Sequence, residues 1–336
     1  MTNKTMLAVV KFAPGFGGIE LREVEVPEPG KGDVVLKVIA AGICGTDVHI
    51  AKDEYAHQTP VVMGHEVLGI VSQVGSEEDQ PWLGKKVAVE TYYSTCEKCA
   101  FCRSGRTNLC PDRRSIGSFR DGGFAEFLKV PVLNLHEIPE SLGLLDGVLA
   151  EPLACVTNCL MNPPRVQPGQ SVLVTGPGAM GQLSAQVARA AGGRVTIAGL
   201  ESDRARLEMA SEIGFDTTVT DTGEETFDVV IECSGNSFAA ASAFRAAKRG
   251  GTYIQVGIFG HDVSVPLDLV LLKELTISSG FASTPESWLS AMELLRDGKL
   301  TLGPLVTKQV VLRDFSEAFA SAVRGDGVKT VLMPKS

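Results

Sequence analysis

Residues 171–183 read S-V-L-V-T-G-P-G-A-M-G-Q-L, a short apolar run that ends in a glycine-rich turn and opens into a helix. The turn carries G-x-G-x-x-G at Gly176, Gly178 and Gly181. In a chain with 36 glycines that pattern is weak by itself. Directly after a buried-type strand and at the start of a helix, it has the context of a dinucleotide-binding loop. Gly176 permits the tight turn, Gly178 lets backbone amides approach a pyrophosphate, and Gly181 lets the helix lie close to the strand. The helix N-terminus then faces the negative charge. Gly176, Gly178, Ala179, Met180 and Gly181 are therefore the candidate cofactor contacts. Glu201, 25 residues past Gly176, is expected to close the second strand, where a carboxylate accepts hydrogen bonds from an adenosine ribose and repels a 2′-phosphate. Arg204 and Arg206 follow in D-R-A-R-L-E-M-A and are the candidates to meet a 2′-phosphate or to lie on a solvated face. NAD is expected, with NADP as the alternative.

Around this loop, strands alternate with amphipathic helices, the signature of a parallel sheet covered on both faces. Strands are expected at 171–175, 194–199, 217–220, 228–233, 252–257 and 275–279, and helices at 179–191, 203–213, 238–248 and 285–296. Before residue 140 the pattern is different. Short β-type runs at 6–12, 19–26, 33–41, 67–74, 86–90, 123–130 and 135–138 are separated by Gly and Pro turns, as in an irregular β-barrel lobe. The last forty residues or so return to strand, helix and strand at 308–312, 315–323 and 329–333.

The 336 residues carry 31 Lys+Arg against 40 Asp+Glu, a net charge of −9. An acidic chain without basic runs argues against nucleic acid as a partner. No apolar run approaches the length of a membrane span, and the N-terminal stretch is broken by Lys11 with no cleavage-site pattern, so a cytoplasmic protein is expected. Four of the eight cysteines fall in C-E-K-C-A-F-C-R-S-G-R-T-N-L-C, Cys96 to Cys110. The C-x-x-C steps hold sulfurs close enough to share one ion, and Cys96, Cys99, Cys102 and Cys110 together complete a tetrahedron with no open position, the structural type of zinc site; a redox thiol cluster and an iron–sulfur centre are the alternatives. Cys44 stands apart in A-G-I-C-G-T-D-V-H, His65 and Glu66 follow in G-H-E, and Glu151 precedes Pro152. Together they offer thiolate, imidazole and carboxylate, the makings of a catalytic metal site that keeps a position open. Spacing alone does not bring these segments together.

The ordered set of Cys44, G-H-E at 64–66, the four-cysteine lobe and the late G-x-G-x-x-G resembles the zinc-containing medium-chain alcohol dehydrogenases over essentially the whole chain. C-G-T-D-V-H, E-P-L and the carboxylate beside the histidine look most like the sorbitol (polyol) and threonine dehydrogenase branches. The resemblance implies an α/β fold in which a Rossmann domain, 153–296, is inserted into a discontinuous GroES-like catalytic domain, 1–152 with 297–336. It implies that Cys44, His65 and Glu66 are ligands or near-ligands of a catalytic zinc, with Glu151 binding directly or through water. Asp47 is implied as a group orienting the metal histidine, Thr46 and His49 as a proton exit, and Cys155 as facing the nicotinamide. Lys329, in G-V-K-T-V-L, matches a position where a basic side chain reaches the cofactor pyrophosphate. A homo-oligomer, in such relatives a tetramer, is implied as well. The expected activity is hydride transfer from a polyol or other secondary alcohol to NAD, giving a ketone, with two zinc ions per chain.

The stretch after His49, I-A-K-D-E-Y-A-H-Q-T-P, lacks the aromatic residue often found there in polyol enzymes. Asp53, Glu54, Tyr55 and His57 either line a substrate entrance or form a solvated turn. The D-E-Y-A string keeps an amino alcohol such as threonine open as the substrate, and a cofactor-binding protein without catalysis is the third alternative.

Overall fold

The computed structural model describes residues 4–220 and 222–334. The chain forms two compact units: one runs up to Glu151 and resumes at Val306, and the other is Pro152–Leu305.

The central unit is a six-stranded parallel sheet. Its spatial order is Asp216–Val219, Arg194–Gly199, Ser171–Thr175, Phe227–Glu232, Ala247–Gln255 and Thr276–Ser279, so the third strand lies at one edge and the fourth returns to the far side of the first. That is the doubly wound Rossmann arrangement. The inner strands S-V-L-V-T and F-D-V-V-I-E are rich in β-branched residues because helices such as Ala179–Ala190 and Ser237–Ala246 pack on the sheet and both faces are buried. Phe244 stacks on Tyr253 with ring centroids 4.3 Å apart. The unit extends past the helix Pro285–Arg296, where the sequence boundary was placed, because Gln186 holds Thr301: its Nε2 donates to Thr301 O at 3.0 Å, and Thr301 N donates to its Oε1 at 2.6 Å. Leu302 and Leu305 are buried with it.

The outer unit is built on a seven-stranded sheet ordered Leu135–Glu137, Lys86–Val89, Glu66–Val74, Asp33–Gly42, Lys329–Met333 and Val306–Val311, with Phe127–Pro131 also pairing with Asp33–Gly42. The C-terminal strand completes this sheet. Val331 and Leu332 lie opposite Gly42 and Ala41, and Phe319, on the helix Phe315–Arg324, packs edge-on against Phe124 at 6.0 Å. The late segment therefore belongs to the core that the first residues begin.

Local expectations differ at several places; the strand expected at 252–257 runs Ala247–Gln255 and takes in 247 and 248, which the pattern gives to the preceding helix. Residues 123–126 lie outside the strand Phe127–Pro131 because they clasp the segment before His65: Gly123 N donates to Gly64 O and Phe124 N to Met63 O, both at 2.8 Å. Ala150–Leu160 is a helix that β-pattern reading missed. Its Pro152 falls in the first turn, where the missing N–H breaks no intrahelical bond. The strand before Glu201 ends at Gly199, and Glu201 opens a 3-10 turn, Glu201–Asp203. No helix of the described residues is long and apolar enough to cross a membrane.

Candidate active site

Cys44 ends the extended segment after Asp33–Gly42 and caps the helix Gly45–Ala51. Asp47 Oδ2 accepts the Cys44 N–H at 2.8 Å, which fixes the start of the helix and with it the position of the Cys44 side chain. Glu66 opens the strand Glu66–Val74, with His65 immediately before it, and Glu66 lies opposite Gly42 in register. Two glycines make the approach possible. A Cβ on Gly42 would stand 2.0 Å from Glu66 Oε2, and one on Gly64, whose φ is +92°, would stand 2.5 Å from the Phe124 ring. As a result Cys44, His65 and Glu66 each offer a ligand atom, all within 4.8 Å of one another.

The surroundings of this trio are charged and largely buried. His65 Nδ1 lies 3.3 Å from Asp47 Oδ1, and Asp47 is fully buried, so the ring is oriented from behind and Nε2 is left for another partner. Burial opposes a charge on the imidazole, but Asp47 and the Cys44 sulfur outweigh it and hold His65 well above its ordinary value. Asp47 Oδ1 has no hydrogen-bond partner in good geometry. A half-buried thiol beside a buried imidazole and buried carboxylates, with a polar atom left over, suits a cation, and sulfur with nitrogen and oxygen is a zinc donor set.

Lys329 alters the expected picture. Its Nζ donates to both Glu66 oxygens at 2.7 Å and to Ile43 O at 3.3 Å, inside the protein. It is thus tied to the carboxylate of the trio. Burial opposes its charge, and Glu66 and the Cys44 sulfur overcome that, so its pKa is raised. A carboxylate offers about four lone-pair sites, so Glu66 keeps capacity for an ion while Lys329 holds it. Glu151 is also buried, but its Oε1 accepts from Thr91 Oγ1 at 2.7 Å and it lies outside the 4.8 Å set. Thr91 carried no sequence signal for this role.

Thr46 and His49 sit three residues apart on one helix and share a face. His49 Nδ1 is 2.8 Å from Glu54 Oε2, which lies in the loop after the helix. The loop itself is pinned. Asp53, at φ +63°, pairs with buried Lys11 Nζ at 2.9 Å, His57 Nε2 lies 3.4 Å from Asp53, and Tyr55 OH accepts from Arg113 at 3.4 Å.

The four-cysteine lobe closes on itself. Cys99 Sγ and Cys102 Sγ are 3.5 Å apart, and Cys96 Sγ and Cys102 Sγ 4.0 Å. Tetrahedral zinc with bonds of about 2.3 Å places its sulfurs about 3.8 Å apart. Backbone N–H groups of Cys96, Cys99 and Cys102 point at the sulfurs of Cys110, Cys96 and Cys99. The N–H groups of Lys98 and Cys99 pull the Cys96 thiol down to about 7, toward the thiolate that a metal needs. All eight cysteines are unbridged.

In the central unit, Gly176 has φ +91°, and a Cβ on Gly181 would stand 1.8 Å from Gly176 O, whereas one on Gly178 would meet nothing within 4 Å. The helix Ala179–Ala190 is capped by Gly178, so Ala179 and Met180 form its first turn. Cys155, Cys159 and Cys233 also belong to this unit, and burial pushes the Cys159 thiol up to about 11. Glu201 is exposed and paired with Arg204, and Arg206 Nη1 is held by Asp203 at 3.1 Å. Both arginines are therefore engaged by carboxylates.

Residues 30–140 match the alcohol dehydrogenase GroES-like domain and 179–297 the zinc-binding dehydrogenase domain. A sorbitol dehydrogenase of Halalkalibacterium halodurans is 34% identical over 343 residues, covering 98% of this chain and 99% of the relative. An L-threonine 3-dehydrogenase of Pyrococcus horikoshii is 35% identical over 353 residues, covering 99% and 100%. A crystal structure from Sinorhizobium meliloti, described as a zinc-binding dehydrogenase bound to NADP, superposes with a TM-score of 0.90 at 31% identity, covering 98% and 100%. Similarity of this depth along the whole chain, on a fold with both cysteine-bearing sites in place, makes it a member of the zinc-containing medium-chain alcohol dehydrogenases, on the side of the polyol dehydrogenases.

Proposed function

We propose that the protein oxidises a polyol or other secondary alcohol to a ketone, with Cys44, His65 and Glu66 holding a catalytic zinc and the Gly176–Gly181 loop holding NAD. The single observation that carries the assignment is the closure of Cys44, His65 and Glu66 within 4.8 Å in one unit, with Asp47 set behind His65. Zinc bound there supplies Lewis acidity toward a substrate hydroxyl, and bound NAD takes up the hydride. Asp47 keeps the His65 ring in one tautomer and orientation. Lys329 fixes the Glu66 carboxylate and limits the negative charge the trio presents. Glu151, steadied by Thr91, offers a further carboxylate near them. His49, backed by Glu54 at 2.8 Å, receives a proton and releases it to water, and Thr46 shares its helix face as the preceding hydroxyl. Cys96, Cys99, Cys102 and Cys110 hold a second, structural zinc.

NAD is favoured over NADP because Glu201 and Asp203 occupy Arg204 and Arg206, leaving acidic groups where a 2′-phosphate would need free cations. A homo-oligomer, in such relatives a tetramer, is supported by apolar side chains exposed on the central unit, Leu267, Leu271, Leu272 and Ile277. Ile277 lies on the edge strand Thr276–Ser279. Unbridged cysteines and the absence of a membrane-length helix among the described residues are consistent with a cytoplasmic setting.

A second reading, oxidation of the hydroxyl of threonine or a related amino alcohol, is favoured by the threonine dehydrogenase relatives. A panel of sugar alcohols, simple secondary alcohols and threonine, each with NAD and with NADP, separates the two through the absorbance of the reduced cofactor. Turnover of sugar alcohols with NAD is expected. Turnover of threonine alone overturns the polyol reading, and silence with every substrate overturns both.

A further inference from the structure

We propose that Glu232 is a positioning residue for the dinucleotide, a role that rests on the cofactor reading above. Glu232 ends the strand Phe227–Glu232 and lies opposite Thr175, the last residue before Gly176, in the parallel register. Between these two strands the sheet order reverses, and ligands of such sheets sit at the carboxyl ends of the strands beside that reversal.

The side chain is fully buried, and among the described residues no lysine, arginine or histidine pairs with it. A buried carboxylate without a cation persists only if donors surround it, and here they come from three neighbouring strand ends. Thr175 Oγ1 donates at 3.5 Å, Ser234 N at 2.8 Å, Gly235 N at 3.1 and 3.2 Å to the two oxygens, and Gln255 Nε2 at 2.9 Å; the Ser234 hydroxyl donates as well. The Glu232 carbonyl accepts from Val256 N and Gly257 N at 2.9 and 2.8 Å. Space for the carboxylate is made by Gly257, where a Cβ would stand 2.7 Å from Oε2.

The network leads directly to the phosphate loop. At Gly176 a Cβ would stand 2.8 Å from Ser234 Cα, so the first turn of the loop rests on the segment that Glu232 holds. Ser234 Oγ in turn accepts from Asn236 N at 3.1 Å, and Asn236 caps the helix Ser237–Ala246. One carboxylate therefore sets the relative position of the loop and of the opposite wall of the crevice. Glutamine in its place keeps one acceptor oxygen for the Ser234 and Gly235 N–H groups but sets an NH2 against the Gln255 Nε2 donor, so the tie that joins the three strand ends through one group is broken.

The test compares the zinc-loaded full chain with Glu232→Gln and Ser234→Ala. NADH affinity is measured by fluorescence, KM for the cofactor and kcat at saturating cofactor by steady-state kinetics, and amide hydrogen exchange across 175–177 and 233–236 by mass spectrometry. Glu232→Gln is expected to raise Kd and cofactor KM by at least about ten-fold, to leave kcat within about two-fold, and to speed exchange in both segments. Ser234→Ala, which removes a hydroxyl and keeps the carboxylate, is expected to weaken binding several-fold and decides the matter if Glu232→Gln fails to fold. Unchanged Kd and exchange in a folded Glu232→Gln protein, or in Ser234→Ala when that is the only folded variant, overturn the proposal even if thermal stability falls. If the unsubstituted chain binds neither NADH nor NADPH, the cofactor reading itself fails and this inference falls with it.

Discussion

Replacing Lys329 with methionine removes the only cation hydrogen-bonded to Glu66 among the described residues and leaves a carboxylate that is 1% exposed without its partner. Breaking one side of a buried ion pair costs about 3–5 kcal/mol, because the remaining charge stays desolvated. Against a domain stability of about 5–15 kcal/mol that is a large fraction. In a unit of this size each kcal/mol moves the midpoint by about 2–4 °C, so Lys329→Met lowers the unfolding temperature of the outer unit by about 6–20 °C. The double variant Glu66→Gln with Lys329→Met removes both charges and recovers at least half of the loss. Scanning calorimetry on the full chain, stripped of metal so that zinc does not substitute for the ammonium, gives the midpoint. A midpoint within about 1 °C of the parent, or a double variant no more stable than the single one, refutes the view that Lys329 serves Glu66.

Gly181→Ala places a Cβ 1.8 Å from Gly176 O, and NADH binding by fluorescence is expected to weaken by at least about a hundred-fold while zinc content is unchanged. Cys99→Ser removes one sulfur of the four-cysteine lobe; metal analysis is expected to give one zinc where the parent gives two, and proteolysis to cut within 95–113. The Lys248 ammonium and the Ser171 hydroxyl and N–H hold Asp228 down to about 2, so its contribution to stability is complete above the ordinary carboxylate range and is lost as pH falls through about 2. Because the group is partly exposed, the difference is about 1 kcal/mol after solvent screening, seen as a smaller acid loss of stability in Asp228→Asn by chemical denaturation. Gly42→Ala is expected to displace Glu66, lowering catalytic zinc affinity by about ten-fold or more in competition with a chelator.

The central unit was legible because each of its signals is local. Strand, glycine turn and helix follow one another within residues 171–190, and the periods of the later strands and helices set most of their bounds. The four-cysteine lobe was legible for the same reason, with all its ligands within one short loop. The trio of Cys44, His65 and Glu66 was legible only as a combination, since nothing in the spacing of 44 and 65 states that Gly42 and Gly64 let two strands bring them together. Lys329 shows the limit most clearly. A lysine in a β-branched run reads as exposed or as reaching for phosphate, and its attachment to Glu66 depends on a pairing between strands that lie nearly 300 residues apart in sequence. Helix Ala150–Leu160 was missed because Pro152 reads as a breaker until it is seen to occupy the first turn. Glu232 left no mark because its signal is the convergence of donors from three strands, not a spacing.

The central claim is that Cys44, His65 and Glu66 hold the catalytic zinc in a unit separate from the one that binds NAD. Its most direct test is the zinc content, NADH affinity and turnover of His65→Ala measured on one preparation beside the parent. The account predicts a fall from two zinc ions to one, loss of turnover, and an NADH Kd unchanged within about two-fold. Retention of both zinc ions with turnover intact contradicts it.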